Sequence, residues 1–313
     1  MLTPNAPQAN NYVGRFAPSP SGPLHQGSLV CALASYLDAR ANNGTWLVRM
    51  EDIDPPREQP GADKLILDCL EAHGLHSDKP VLYQSQRSQA YHDILDTLAK
   101  RGLCYPCNCT RARLKVLGGY YDGHCLQHAP SREQPAAMRI NLQRALHHLK
   151  EYQRETLDSF IDNVLGQHND PLHENDDFVI HRKDGLFAYQ LAVVADDIAQ
   201  GVTHIVRGAD LLNTTVKQRL LFYILDATPP QYGHIPIITD TSGNKLSKQN
   251  HARPVDPVQA SQNLATACRL LGLANHKDEQ QLARASLTET LHWAQNQWQL
   301  NKISRHPVMA SPQ

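Results

Sequence analysis

Along residues 12–102, short apolar runs alternate with segments whose apolar positions recur every three or four residues. That alternation marks buried parallel strands joined by helices. Residues 12–17 make the first run. Pro18, Pro20 and Pro23 then fix φ, and Gly22 tolerates positive φ, so 18–23 is a tight, nearly rigid turn. Leu29, Leu33 and Leu37 follow at helical spacing and predict a helix over 25–42, with a left-handed stop near 42–44. Residues 46–50 predict a second strand, which delivers Glu51, Asp52 and Asp54 at its carboxyl end before Pro55 and Pro56 halt it. Open α/β sheets hold ligands at that edge. Further helices are predicted over 60–75, through Leu65, Cys69 and Leu70, and over 86–102, through Ile94, Leu95 and Leu98.

The pattern breaks at 103–185. A compact stretch rich in Cys, His and Gly reaches about residue 128; a polar segment with short apolar bursts follows, ending at 178–181 and a turn at 182–185. This range is expected to be an insertion between the two halves of one sheet. Sheet character returns at 188–195 and 201–207, then a helix near 210–226 and a strand at 234–238. That strand feeds the turn 240–244 and a loop carrying Lys245, Ser247 and Lys248. Beyond Asn250 the pattern is helical. Asp256 can cap, Pro257 suits a first helical position, Gly272 suits a stop, and Ser286 with Glu289 has the form of a capping box ahead of Leu287, Leu291, Ala294 and Trp298. The tail from Ser304 is expected to fray. The units are thus 1–102 and 186–250 for the two halves of an open parallel α/β sheet, 103–185 for the insertion, and 251–313 for a short helical stem.

The chain has 313 residues, 41% of them hydrophobic, which supports a normal core. Its net charge of −1 does not mark a general polyanion binder, so any RNA contact must come from local patches. No run approaches the ~18 apolar residues of a membrane span, and the first eleven residues lack a basic-then-apolar export signal. Seven cysteines, four of them between Cys104 and Cys125, fit a reduced chain with a metal site better than a disulfide framework. A cytoplasmic protein, monomeric by default, is expected.

Strand, rigid turn and helix start at 12–28 make a place for an anion, because the free N–H groups and positive dipole end of a helix favour negative charge. His25, Gly27 and Ser28 sit at that helix mouth. Alone, His25 can equally be a capping or surface histidine, and Lys248 a solvated loop lysine. Together the two stretches say more. Pro23, Leu24, His25, Gln26, Gly27 and Ser28 resemble the first signature of class I aminoacyl-tRNA synthetases. Lys245, Leu246, Ser247, Lys248 and Gln249 resemble the second, in the right order, although Gln249 stands where the general pattern has Ser. The resemblance implies a Rossmann-like catalytic domain that activates an amino acid with ATP and Mg2+. The carboxylate attacks the α-phosphate, pyrophosphate leaves, and preorganised donors aimed at the phosphate oxygens lower the barrier. His25 would donate to the phosphates, Gly27 would let backbone approach the adenine or ribose beside Ser28, and Lys248 would close over the phosphates with Lys245 and Ser247.

The subclass is also legible. The strings Arg15, Phe16, Ala17, Pro18, Ser19; Arg49, Met50, Glu51, Asp52, Ile53, Asp54; and Val206, Arg207, Gly208, Ala209, Asp210, Leu211 resemble the glutamyl-tRNA synthetase catalytic domain over roughly 12–250. A glutamate side-chain carboxylate must lose water, and a planar guanidinium can replace that water bidentately where lysine cannot. The resemblance implies that Arg15 and Arg207 hold L-glutamate with Phe16, Ala17, Pro18 and Ser19 of the turn, that Glu51 takes the ammonium group, and that Tyr189 lies along the side chain. Out of that context the arginines suit surface ion pairs, and Tyr189 a core position.

Cys104, Cys107, Cys109 and Cys125 offer a tetrahedral zinc set by spacing alone. The string from Cys107 to Cys125 resembles the zinc site of short glutamyl-tRNA-synthetase-like proteins, which implies one structural zinc on Cys107, Cys109, Tyr121 and Cys125; Cys104 in place of Tyr121 is the alternative. Arg101, Arg111, Arg113 and Lys115 face no acidic residue within 101–115, which makes this knob either an RNA contact or a solvated basic face. Only about 60 residues follow the lysine loop, without room for an anticodon-binding domain. The chain therefore resembles the truncated paralogues, the glutamyl-queuosine tRNA(Asp) synthetases. That resemblance implies glutamate activation without tRNA, then transfer to the queuosine base at the wobble position of tRNA(Asp). The alternatives are a truncated glutamyl-tRNA synthetase charging the 3′ end of tRNA(Glu), an inactive regulatory or RNA-binding relic, and a ligase joining glutamate to a small molecule or protein.

Overall fold

In the computed structural model, which describes residues 12–118, 121–131, 133–152, 154–172, 177–246 and 252–310, the first apolar run becomes β1 (Val13–Phe16). The proline turn after it is pinned to the neighbouring strand's exit: the Pro18 carbonyl accepts from the Glu51 N–H at 3.0 Å and the Pro20 carbonyl from the Gln59 N–H at 2.9 Å. α1 (Gln26–Ala41) buries Leu29, Leu33 and Leu37 as expected. Its stop falls on Asn43, at φ 51°, rather than on Gly44. Gly44 serves a close approach instead, since a Cβ there would lie 2.7 Å from the Tyr12 carbonyl oxygen. β2 (Thr45–Met50) pairs parallel with β1. α2 (Ala62–Ala72) and α3 (Ser88–Lys100) fall inside their predicted ranges, with β3 (Leu82–Tyr83), parallel to β2, between them.

The range 103–185 holds β4 (Cys104–Cys107), α4 (Arg111–Val116), α5 (His124–Gln127), β5 (Ala137–Ile140), α6 (Leu142–His148), α7 (Arg154–Asp158), β6 (Ser159–Asp162), β7 (Gly166–Asn169) and β8 (Val179–His181). The second half supplies α8 (Tyr189–Gln200), β9 (His204–Gly208), α9 (Thr215–Ile224) behind a 3-10 turn (Ala209–Thr214), β10 (Gln231–Ile235) and β11 (Ile238–Thr239). β4, β5 and β8 form a small antiparallel sheet. β6 does not join it: it pairs in parallel with β10, Asp162 opposite Tyr232, and β7 runs antiparallel beside it. The expectation of one insertion over 103–185 is corrected accordingly. Residues 159–169 belong to the central sheet, and the signal was weak because an edge hairpin buries Phe160 yet leaves Ile161 exposed.

The expected strand at 188–195 is a helix, α8. An unbroken apolar run carries no period, so a buried strand and a buried helix look alike in sequence. Gly201, left-handed at φ 65°, ends it, and the buried Asp196 and Asp197 close its last turn. The strand expected at 234–238 starts at Gln231 and breaks at Pro236, which has no N–H for the ladder.

The sheet has two parts, β3-β2-β1 and β9-β10-β6-β7. Thr203 joins them: its N–H donates to the Val13 carbonyl at 2.9 Å, and the Val13 N–H donates to its hydroxyl at 2.9 Å. β1 and β9 therefore lie side by side although the chain leaves β1 toward β2 and returns on its other flank. That reversal opens a crevice at the carboxyl ends of the two strands.

The C-terminal stem, α10 (Ala260–Leu270), α11 (His276–Leu282) and α12 (Leu287–Gln297), packs on α1 in one apolar core; α3, α8 and α9 share a second core with β5. The capping box of Ser286 and Glu289 and the left-handed Gly272 are present as expected. Among the described residues, the tail from Ser304 to Ala310 does not fray. β12 (Val308–Met309) pairs in parallel with β11, and so braces the strand that leads into the lysine loop.

Candidate active site

The crevice between β1 and β9 opens into a cleft of about 750 Å³. Arg15, Phe16, Ala17, Pro18, Ser19, His25, Gly27, Ser28, Glu51, Tyr189, Arg207 and Lys245 all line it. Ser247 and Lys248 lie outside the described residues.

One end is built from buried charges on the sheet. Arg15 Nε donates to Asp197 Oδ1 at 3.1 Å, and Arg49 Nη2 donates to the same oxygen at 2.6 Å. Burial pushes the Asp197 carboxyl up, but Arg15 and Arg49 outweigh it and hold Asp197 below the usual carboxylate range. Glu51 Oε1 stands 4.0 Å from Arg49 Nη2 and, among the described residues, accepts no hydrogen bond. Burial raises the Glu51 carboxyl to about 7, with Arg49 and Arg15 opposing and Asp197 reinforcing. A buried carboxylate in this state gains from a cation, and a ligand ammonium group is such a cation.

Arg207 differs from Arg15. Its Nε donates to His234 Nε2 at 3.0 Å, Nη1 to Gln218 Oε1 at 2.8 Å, and Nη2 to Thr215 Oγ1 at 2.8 Å. Longer contacts run from Nη1 to the Tyr189 hydroxyl at 3.5 Å and from Nη2 to the Leu211 carbonyl at 3.4 Å. Those two long contacts are the ones a ligand carboxylate could replace. The sequence did not single out Arg49, Asp197, Gln218, Thr215 or His234 for the site. Arg49 had a signal, being a lone charge inside an apolar strand; Asp197 had one too, at the end of an apolar run.

The other end is more open. His25 caps α1: its Nδ1 accepts from the Ser28 N–H at 3.2 Å and its Nε2 lies 3.0 Å from Ser28 Oγ. An accepting Nδ1 puts the ring proton on Nε2. The capping role therefore coexists with a place in the cleft. A Cβ on Gly27 would come within 3.2 Å of the His25 ring and 3.5 Å of the Leu246 carbonyl, so the lysine loop enters against the glycine itself. The loop leaves nearby, where the Val255 N–H donates to the Leu24 carbonyl at 2.8 Å. Lys245 Nζ pairs with Asp210 Oδ2 at 2.5 Å.

Away from the cleft, the sulfurs of Cys107, Cys109 and Cys125 lie within 4.8 Å of one another. The Tyr121 hydroxyl is 3.7 Å from Cys107 Sγ and accepts from the Cys125 N–H at 2.8 Å; the Arg139 guanidinium lies 4.3 Å over its ring. Burial pushes the Tyr121 phenol up, and the accepted Cys125 N–H opposes that; with the phenol deprotonated by the metal itself, three thiols and this oxygen fit a tetrahedral zinc. Cys104 turns away into the core of α3 and α8, because positions three apart on a strand face opposite sides. On the basic knob, Arg113 forks onto Asp122 and Arg101 pairs with Asp226, acids outside the 101–115 window; Arg111 and Lys115 stay exposed.

Residues 12–309 match the family described as tRNA synthetases class I (E and Q), catalytic domain. The chain is 46% identical over 293 residues to the glutamyl-Q tRNA(Asp) synthetase of Vibrio cholerae, covering 94% of this chain and 92% of that one. It is 49% identical over 309 residues to the glutamyl-Q tRNA(Asp) synthetase of Colwellia psychrerythraea, covering 95% and 94%. Among solved structures, a glutamate tRNA ligase from Elizabethkingia meningosepticum is similar with a TM-score of 0.75 at 23% identity, over 96% of this chain and 67% of that one. The chain belongs to the class I tRNA synthetase family for glutamate and glutamine, and its parallel sheet is that family's catalytic domain.

Proposed function

We propose that this protein activates L-glutamate with ATP in the absence of RNA and transfers it to the queuosine base at the wobble position of tRNA(Asp). The observation that carries the reading is the near-complete, two-way coverage of relatives named glutamyl-Q tRNA(Asp) synthetase. The cleft supports it with a cationic and carboxylate end for an amino acid and a helix-mouth end for a nucleotide. Arg15 and Arg207 take the two carboxylates and Glu51 the ammonium group, while Tyr189 lies beside the side chain and Ser19 closes the turn. His25, Gly27 and Ser28 receive ATP with its Mg2+, and Lys245, Ser247 and Lys248 close over it from the loop. The substrate carboxylate attacks the α-phosphate, the bond to pyrophosphate breaks, and the developing charge falls among these donors. A queuosine hydroxyl then attacks the acyl carbon and AMP leaves.

Cys107, Cys109, Tyr121 and Cys125 hold one structural zinc, which supplies cross-linking of the knob and no chemistry in the cleft. Among the described residues no helix is long and apolar enough to cross a membrane. We also propose that the protein acts as a cytoplasmic monomer. Labelled glutamate is to be offered to tRNA(Asp) with and without queuosine and to tRNA(Glu). Label on the anticodon loop of queuosine-bearing tRNA(Asp) alone is the expected outcome. Label on the 3′ end of tRNA(Glu) would establish ordinary charging instead. Zinc analysis should find one ion per chain, lost in Tyr121→Phe and kept in Cys104→Ser; the reverse would put Cys104 in the place of Tyr121.

A further inference from the structure

Behind Arg207 lies a buried pair outside the cleft. The side chains of Asp162 on β6 and His234 on β10 are both fully inaccessible. Asp162 accepts from the Val164, Leu165 and His234 N–H groups at 3.0, 2.9 and 3.1 Å, and meets His234 Nδ1 at 2.6 Å. A carboxylate collecting this many donors is ionised and cannot itself donate, so the proton in that last bond sits on Nδ1. His234 Nε2 then carries a lone pair, and it faces Arg207 Nε at 3.0 Å. A guanidinium cannot accept, so the imidazole must be neutral and in this one tautomer.

We propose that Asp162 and His234 are positioning residues for Arg207: Asp162 holds the His234 tautomer, and His234 Nε2 anchors the Nε side of the guanidinium. With Nε held there, Gln218 and Thr215 fix the two terminal nitrogens, and the plane has no remaining rotation. The remaining edge is presented to the cleft at one angle. The sheet partner that supplies Asp162 comes from within 103–185, so this segment reaches the substrate end through two side chains. The inference rests on the reading that Arg207 binds a carboxylate of the amino-acid substrate.

Two near-isosteric variants separate the links. The His234→Asn amide can still donate to Asp162 from the place of Nδ1 but offers Arg207 no acceptor. The His234→Gln carbonyl can take the place of Nε2. In glutamate-dependent exchange of pyrophosphate into ATP, His234→Asn should raise the glutamate KM about tenfold to a hundredfold, the scale of a buried donor left unpaired. Its kcat and ATP KM should move by less than about threefold, and His234→Gln should recover most of the loss. A folded His234→Asn protein with normal glutamate KM, equal rises in both KM values, or a Gln variant as weak as the Asn variant would each overturn the proposal. Nitrogen-15 NMR of histidine-labelled full-length protein at neutral pH gives a readout independent of activity, with the His234 resonance assigned by its loss in His234→Gln. Nδ1 should be protonated and Nε2 bare; a cationic ring or a proton on Nε2 overturns the proposal. Wild-type protein that fails to exchange with glutamate sinks the functional reading, and the NMR result still decides the positioning role.

Discussion

The two ends of the cleft are made of the same residue types under different physical conditions. At the buried end, Arg15, Glu51 and Arg207 are 4%, 9% and 5% exposed; the two arginines rise from β1 and β9 and are held by partners that are buried themselves, and Glu51 follows directly on β2. At the helix-mouth end, Lys245 of the loop and Asp210 of the 3-10 turn pair with 42% and 34% of their side chains exposed. A buried pair is costly to assemble and costlier to halve, whereas an exposed pair is weak and easily exchanged. The first condition suits recognition of one small ligand in a fixed pose. The second suits a contact that exchanges its partners easily.

The sharpest way to break this contrast is at Asp197. Asp197→Ala leaves Arg15 and Arg49 without their shared carboxylate and should cost about 3–5 kcal/mol of stability, read by denaturant unfolding. A loss under about 1 kcal/mol would mean the buried end is no more rigid than the loop. Next is Lys248→Ala, expected to slow pyrophosphate exchange by about tenfold to a thousandfold with little change in stability. An unchanged rate would take Lys248 out of the nucleotide end.

Glu51 tests the buried end by pH. Its carboxyl is raised to about 7, and only the ionised form attracts an ammonium group. Below pH ~7 the kcat/KM for glutamate should therefore fall by about tenfold per unit, and above it the profile should level. Glu51→Gln should lower the plateau and abolish that limb; a persisting limb would assign the titration to another group. The smallest effect is expected from Lys245→Ala, at most about 1 kcal/mol in stability, because the pair is exposed. A larger loss would make the loop a structural element rather than an exchangeable one.

Much of this architecture was readable from local pattern. β1, the proline turn and α1 announce themselves because apolar run, fixed φ and helical spacing are properties of neighbouring residues. Ser286 and Glu289 form their capping box for the same reason. The pairing of the 23–28 stretch with the lysine loop was legible through motif order; His25 and Lys245 line one cleft, and Lys248 lies outside the described residues. Where period was missing, the reading failed: α8 looked like a strand, and β6 looked like part of an insertion.

The sequence by itself determined the alternation of strands and helices, the helix mouth after the proline turn, the cysteine cluster and the residue types at the cleft. Each depends on interactions spanning a few positions. Only the tertiary structure decided that β9 lies against β1, that Asp197 is shared by Arg15 and Arg49, and that the tail braces β11. These pairings join residues far apart in the chain, and no local period encodes them. They are favoured because a buried charge or N–H left without a partner is costly.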